Sequence, residues 1–237
     1  MSPFEALLAV QGHDTVIDQL AHRRATLPER TALRDAEAAI AALDAERAEV
    51  EGQLDEIAAR EADAERQIAA SEERIATIDR RMYSGEVTAS RDLQAMAHEI
   101  DTLKARVSSL EDVALAALDE REPFDARLAA LDARRAELVA SAVALQAAIA
   151  AAEVALDADL DGERRSRQAA AEGVAPDLLR TYESLRARLG GVGAARLEGG
   201  RCTGCHLSLP ATELDRIRHQ PPEALVFCDQ CGRILVR

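Results

Sequence analysis

From Leu33 to Met82, apolar side chains recur at alternating steps of three and four residues. They run through Leu33, Ala36, Ile40, Leu43, Val50, Leu54, Ile57, Ala64, Ile68, Ile75, Ile78 and Met82. This is heptad spacing held for about seven heptads, and it demands a long helix with one apolar seam against a partner helix. Arg47, Glu61 and Ser71 occupy seam positions, where polar groups weaken the contact but hold its register. The repeat stops at "MYSGEVTAS". Ser84-Gly85 is a turn signal, Thr88 or Ser90 can cap a new helix, and Asp92 suits its positive end. The heptad then restarts at Leu93 and runs through Met96, Ile100, Val107, Leu110, Phe124, Leu131, Leu145 and Ile149 to Leu156, with Arg121 and Arg135 in seam positions.

A short turn between two heptad helices predicts an antiparallel hairpin. Folding about that turn pairs residues whose numbers sum to about 175, so Ile75 meets Ile100, Ile68 meets Val107, Val50 meets Phe124 and Leu43 meets Leu131. The second helix outruns the first, and its surplus pairs with residues 4–25. Leu27-Pro28 then reads as a kink within one arm, and Pro123 as a kink in the other, nearly opposite Gly52. At the N-terminal side, Ser2-Pro3-Phe4-Glu5 reads as a helix start. Ser2 is the N-cap, Pro3 the first helical residue, and Glu5 completes a capping box.

Composition agrees with a thin seam more than a thick core. Of 237 residues, 48% are hydrophobic but only 2% aromatic, and 30% are charged. Large side chains supply most of the area a globular core buries, whereas an Ala, Glu, Leu and Arg bias suits a coiled coil. The net charge is -14. From Arg196 onward, six arginines face five acids, so nearly all the negative charge lies on the helical part, which repels a long nucleic-acid duplex. "MSPFEALLAVQGHD" has no basic stretch before an apolar run, so no signal peptide is expected. No 18-residue run is uninterrupted in its apolar character, so no membrane span is expected. The expected compartment is the cytoplasm.

All four cysteines lie in the last 36 residues, as Cys202-x-x-Cys205 and Cys228-x-x-Cys231 with 22 residues between the pairs. In a reducing compartment two such pairs point to a tetrahedral zinc site. Two thiolates at the tip of a tight turn reach one ion, and the intervening loop brings the second turn alongside. Gly232 suits a turn that needs positive φ. "ALVF" and "RILVR" read as the two strands of a hairpin around the second turn. Disulfides need an oxidising compartment, and a redox C-x-x-C needs a βαβ setting. Four sulfur ligands leave no position for water, so the zinc is expected to be structural and single. His206, beside Cys205, reads as a surface residue.

Between hairpin and cysteines, "EGVAPDLLRTYESLRARLGG" predicts a short helix from Pro176, stopped by Gly190-Gly191. "VGAARLEGGR" then predicts a strand and a turn, with its glycines as a hinge. The expected organisation is a coiled-coil hairpin over 1–172 with its tip near 83–88, a helix and glycine hinge over 173–193, and a zinc ribbon over 194–237. The glycine-rich stretch lacks the Gly-Lys-Ser/Thr ending of a phosphate loop. The acids read as solvated helix faces, and His13, His22 and His98 stand alone in sequence. No catalytic constellation stands out, and an enzyme is not expected. Arg196, Arg201, Arg216, Arg218, Arg233 and Arg237 are the candidate phosphate or partner contacts. Phe227 is the only aromatic residue after Tyr182, so base stacking has little platform.

"MYSGEVTASRDLQAMAHEIDTLKARVSSLED", "APDLLRTYESLR", "CTGCHLSLP" and "CDQCGRILVR" together resemble the bacterial coiled-coil zinc-ribbon family. The most specific stretches are the tip at Tyr83-Ser84-Gly85 and the closing Cys-x-x-Cys-Gly-Arg-Ile-Leu-Val-Arg. Members are described as candidate nucleic-acid-binding proteins, and one is a flagellar-biogenesis protein that binds an alternative sigma factor and messenger RNA. Where members tend to carry Lys-Glu after the tip, this chain has Arg91-Asp92, which keeps the charge order. The resemblance implies a mainly α fold, a long kinked hairpin carrying a small β zinc ribbon, with Cys202, Cys205, Cys228 and Cys231 on one zinc ion. The function expected is a non-enzymatic adaptor for a protein partner, with RNA or DNA contact through the ribbon as the alternative. Neither a membrane nor a small-molecule substrate is expected.

Overall fold

The computed structural model describes residues 2–237. In chain order the elements are α1 (Pro3–Ala25), α2 (Pro28–Tyr83), α3 (Ser90–Ala171), α4 (Pro176–Arg188), β1 (Ala194–Glu198), β2 (Arg201–Cys202), α5 (Ala211–Arg218) and β3 (Ile234–Val236). They form two compact units. One is Leu33–Ala144, and the other joins the residues up to Ala32 with Leu145–Arg237.

The unit 33–144 is the coiled coil the heptads predict. Val50, Ile57, Ala64, Ser71 and Ile78 of α2 are buried, as are Ile100, Ala117, Leu131 and Ala142 of α3. The polar seam positions are resolved in different ways. Ser71 donates to the Gln67 carbonyl one turn back (2.7 Å), which satisfies its hydroxyl inside its own helix. Arg47 reaches Asp132 (2.9 Å) and Arg135 reaches Asp44 (2.6 Å). Arg121 departs from the seam. It is exposed and pairs with Asp125 one turn along its own helix. The expected register holds, because Arg74–Glu99, Arg106–Gln67, Glu46–Arg127 and Arg60–Glu120 all cross between the helices. Exposed pairs of this kind are worth at most about 1 kcal/mol each, so they specify alignment while apolar burial supplies the stability. Helix α3 continues unbroken through Pro123.

At the tip, α2 ends on Tyr83 and α3 begins at Ser90. Ser84 Oγ donates to the Arg81 carbonyl and accepts from the Glu86 N–H. Gly85 has φ 80°, a value that favours glycine. Tyr83 is 82% exposed.

In the other unit, the surplus of α3 meets α1 as expected. Arg24 binds Asp157, His13 binds Glu163 and Arg167 binds Asp14, while Arg30 in the first turn of α2 binds Glu153. Ser2 caps α1 by accepting the Glu5 N–H (3.2 Å). The expected capping box is only half realised, because the Glu5 carboxylate turns to Arg196 of β1 instead (2.7 Å). That guanidinium holds the Glu5 carboxyl below its ordinary range.

The sheet has strand order β2-β1-β3. Strands β1 and β2 pair antiparallel across Gly199-Gly200, both with positive φ, as a two-residue hairpin turn requires. Strand β3 pairs in parallel with β1, with Ala194 opposite Ile234 and Ala195 opposite Leu235. The expected "ALVF"–"RILVR" hairpin is present in shortened form: Phe227 bridges Ile234 antiparallel, and the Cys228 N–H donates to the Arg233 carbonyl and the Leu235 N–H to the Val226 carbonyl (both 2.8 Å). The pairing of β3 with β1 was not expected. Strand alternation then divides the sheet between two cores. Ala194 and Ile234 join Leu7, Val10, Tyr182 and Leu185, while Ala195 and Leu235 join Cys202, Leu209, Ile217 and Cys228.

Helix α3 contains an 18-residue window of mean hydropathy 1.8, long and apolar enough to cross a bilayer by composition alone. Only 11% of that window is buried within the structure.

Candidate metal centre

The two cysteine turns are built alike, 26 residues apart. In the first, the Cys202 N–H donates to the Leu207 carbonyl (3.1 Å) and the His206 N–H to the Cys202 carbonyl (2.8 Å). In the second, the Cys228 N–H donates to the Arg233 carbonyl (2.8 Å) and the Gly232 N–H to the Cys228 carbonyl (2.8 Å). The residue after each second cysteine adopts positive φ, 63° at His206 and 72° at Gly232. Glycine takes that conformation freely, whereas a side chain costs about 1–2 kcal/mol there. His206 is exposed, as expected, and it pays that strain. His206→Gly is therefore expected to stabilise the zinc-loaded protein by about 0.5–1 kcal/mol, after allowing for the larger unfolded-state entropy of glycine. A urea titration of the zinc-loaded pair of proteins measures it.

The four Sγ atoms lie within 4.8 Å of one another, and Cys202 and Cys231 are 3.9 Å apart. A tetrahedral ion with Zn–S bonds of about 2.3 Å needs sulfurs about 3.8 Å apart, so the donor set fits. All four cysteines are free thiols, which removes the two-disulfide alternative. Cys202 and Cys228 are buried, the other two partly so.

Without metal the thiols differ in acidity. Burial pushes Cys228 up to about 12, against the backbone N–H groups of Gln230 and Cys231. Burial likewise raises Cys202, opposed by the N–H groups of Cys205 and Gly204. Burial would raise Cys231 too, but the backbone and side chain of Arg233, with Cys228 and Cys205, outweigh it and bring the thiol down to about 7. Zinc supplies the cross-link between the two turns and has all four positions filled by sulfur, which is the arrangement of a structural site. Cys202, Cys205, Cys228 and Cys231 thus form a centre for one structural zinc.

The neighbouring elements hold the turns in place. The buried Glu213 of α5 accepts the Asp229 N–H (3.3 Å). Arg233 donates to the Val192 and Leu189 carbonyls (3.0 and 3.1 Å), which ties the second turn to the end of α4. The glycine stretch expected to act as a hinge is pinned. Gln11 Oε1 accepts the Gly193 N–H (2.7 Å), and Gln11 Nε2 donates to the Gly191 carbonyl (3.0 Å). A Cβ on Gly193 would lie 2.7 Å from the Tyr182 carbonyl, so only glycine permits that approach.

Beside Gln11, Asp14 anchors a network that sequence reasoning missed. Its Oδ1 accepts from Arg167 Nε (2.9 Å) and its Oδ2 from the Tyr182 hydroxyl (2.7 Å), with Arg186 Nε at 3.6 Å. Arg167 also binds Glu183, and Arg186 also binds Asp18. Burial, then the Asp14 carboxylate, pushes the Tyr182 hydroxyl far above its ordinary range. The signal was available: Gln11 and Asp14 interrupt the apolar face made by Leu7 and Val10 of α1.

The six candidate arginines are placed as follows. Arg196 binds Glu5, Arg201 donates to the His206 carbonyl, Arg216 reaches Asp229, and Arg233 holds the end of α4. Arg237 donates to the carbonyls of Ile217, Gln220 and Pro221 at 2.6–3.0 Å. Arg218 has no acceptor among the described residues.

Residues 10–190 match the CT398-like coiled coil hairpin domain, and residues 201–235 match the C4-type zinc ribbon domain. Two Mycobacterium tuberculosis proteins, MT2288 and Rv2229c, both carrying the name uncharacterized protein, are each 31% identical over 98% of this chain and 94% of their own. A structure from Mycobacterium smegmatis is 30% identical, with a TM-score of 0.72 over 99% of this chain and 97% of that one. CT398 of Chlamydia trachomatis, at 20% identity, shares the fold with a TM-score of 0.71 over the same shares of both chains. With its heptad hairpin, its paired cysteine turns and these relatives, the chain belongs to the family of CT398-like coiled-coil hairpin proteins that carry a C4-type zinc ribbon.

Proposed function

We propose that the protein is a non-enzymatic adaptor that binds a protein partner in the cytoplasm. The observation that carries this reading is the use of the ribbon's arginines. Five of the six donate to acceptors of the protein itself, among the described residues. Phosphate contact needs guanidinium groups that are free to reach a backbone, and the net charge of -14 opposes it further. In the polar network at Asp14 the carboxylate pairs with Arg167 and Tyr182, and Arg186 pairs with Asp18, although its Nε makes no hydrogen bond; this is the pattern of a structural support. Four thiolates on one zinc suit a reducing compartment.

Salt dependence tests this reading against nucleic-acid binding through the ribbon. Binding driven by phosphate contacts falls by orders of magnitude between roughly 50 and 200 mM salt, whereas a packed protein interface changes little. The zinc-loaded chain is expected to retain its partner across that range after nuclease treatment. It is also expected to bind defined RNA and DNA oligonucleotides only at the low-salt end. Retention that vanishes with nuclease, or tight oligonucleotide binding at the higher salt, overturns the adaptor reading.

A further inference from the structure

A cleft of about 840 Å³ opens where α1, α4, the end of α5 and the loop after it come together, within the unit that holds the ribbon. Its walls are mainly apolar, with Phe4, Leu178, Pro222, Leu225 and Leu235 among them. Clefts of roughly 300–1,000 Å³ with apolar walls and a few convergent polar groups are typical of ligand sites. Two features make this one firm. Pro3 and Pro222 stiffen its edges. Arg237 holds the loop that forms one wall by donating to the carbonyl groups of Ile217, Gln220, Pro221 and, at 3.5 Å, Ala224.

The charges lining the cleft identify its occupant. Arg218 lines it and has no acceptor among the described residues. Arg237 gives its donors to neutral carbonyls of the loop. Of the two acids, Asp177 is neutralised by Arg180, while Glu223 has no cation beside it. Arg218 is therefore a guanidinium in the cleft without an ionic partner among the described residues, in a chain of net charge -14. Helix α4 also begins at the cleft, and Ala175 gives it no side-chain cap, so the positive end of the helix dipole adds to the same sign. An apolar wall beside an unpartnered guanidinium is complementary to an apolar segment that carries a carboxylate. It is a poor match for a phosphate backbone, which offers charge without an apolar face.

We propose that this cleft docks a short apolar segment of a partner protein, with an aspartate or glutamate of that segment paired to Arg218. The assignment rests on the adaptor reading and names the surface that performs it. Arg218 and Leu225 are both exposed, so Arg218→Glu and Leu225→Asp alter the cleft without entering the core. Zinc content checks that each variant remains folded.

The test uses the full zinc-loaded chain and three fluorescein-labelled hexapeptides of Leu and Phe, each with one central Glu, Gln or Lys. The Glu peptide is expected to bind tightest by fluorescence polarisation. Arg218→Glu is expected to weaken it about tenfold or more and to shift preference to the Lys peptide. Leu225→Asp is expected to weaken the Glu and Gln peptides alike. The proposal is overturned if no peptide saturates. Binding indifferent to both substitutions overturns it too, as does Arg218-dependent binding of decanoate without peptide binding, since that would make the cleft a site for small amphiphiles. Salt-resistant partner capture that survives both substitutions overturns the cleft assignment while leaving the adaptor reading intact. Capture by the unaltered chain that nuclease abolishes overturns the adaptor reading itself.

Discussion

Cys228→Ser in the full chain is expected to reduce zinc from about one ion per chain to near zero, and to unfold the ribbon. Structural zinc sites contribute about 10–16 kcal/mol of apparent binding free energy in small domains, comparable to the whole stability of an ordinary domain. The ribbon's own apolar core is small. It consists of Ala195, Leu209, Ile217, Val226 and Leu235 around two buried cysteines. Without the ion, three thiols must find partners in a site built for four sulfurs on a metal. The loss should also spread, because Ile234 of β3 is fully buried against Leu7, Val10 and Tyr182. Amide hydrogen exchange is therefore expected to accelerate first in residues 194–237 and then in α1 and α4. The hairpin residues 33–144 contain no cysteine in their seam, and their protection should persist. Zinc release followed with a chromogenic chelator measures the first part. Unchanged exchange in α1 after metal loss would show that the sheet's two cores act independently.

The second large effect is expected at Asp14→Ala. The Asp14 side chain is 5% exposed, and it pairs with Arg167 while Arg186 approaches it. Removing one partner of a buried ion pair costs about 3–5 kcal/mol, because the other charge stays buried without compensation. The effect should fall at the lower end of that range, since both arginines are 26% exposed and keep Glu183 and Asp18. Tyr182→Phe removes only one hydrogen bond to the same carboxylate and should cost about 1.5–3 kcal/mol. The two changes share Asp14, so the double variant should cost less than the sum. By contrast, Asp44→Ala breaks only the exposed pair with Arg135, which solvent screens, and should cost far less. Local unfolding free energies from hydrogen exchange in α1 and α4 report the Asp14 and Tyr182 effects. A cost for Asp14→Ala no larger than that for Asp44→Ala would mean the network is not a keystone.

The hairpin was readable almost residue by residue. Heptad spacing fixes which side chains face the seam, and the turn at Ser84-Gly85 then sets the register by simple counting. The single misplaced seam residue, Arg121, sits beside Pro123 and found Asp125 on its own helix. Zinc ligation was equally readable, because thiolates bind metal through short local turns whose spacing is written along the chain. Of the two neighbours of β3, the segment at Phe227 was readable, because the cysteine turn joins it directly to β3. The parallel pairing with β1 was not, because alternation in "RILVR" predicts a strand but says nothing about a partner about 40 residues earlier.

Local periodicity and ligand spacing thus carried the helices, their register and the metal site, since each depends on residues a few positions apart. Packing in three dimensions carried what depends on residues brought together over 150 or more positions: Gln11 on Gly193, Asp14 on Tyr182, Glu5 on Arg196. Those contacts turn an expected hinge into a pinned segment, and they occupy an arginine that looked free. Sequence separation conveys no distance until the chain has folded, which is why the cleft beneath Arg218 could be seen only in the structure.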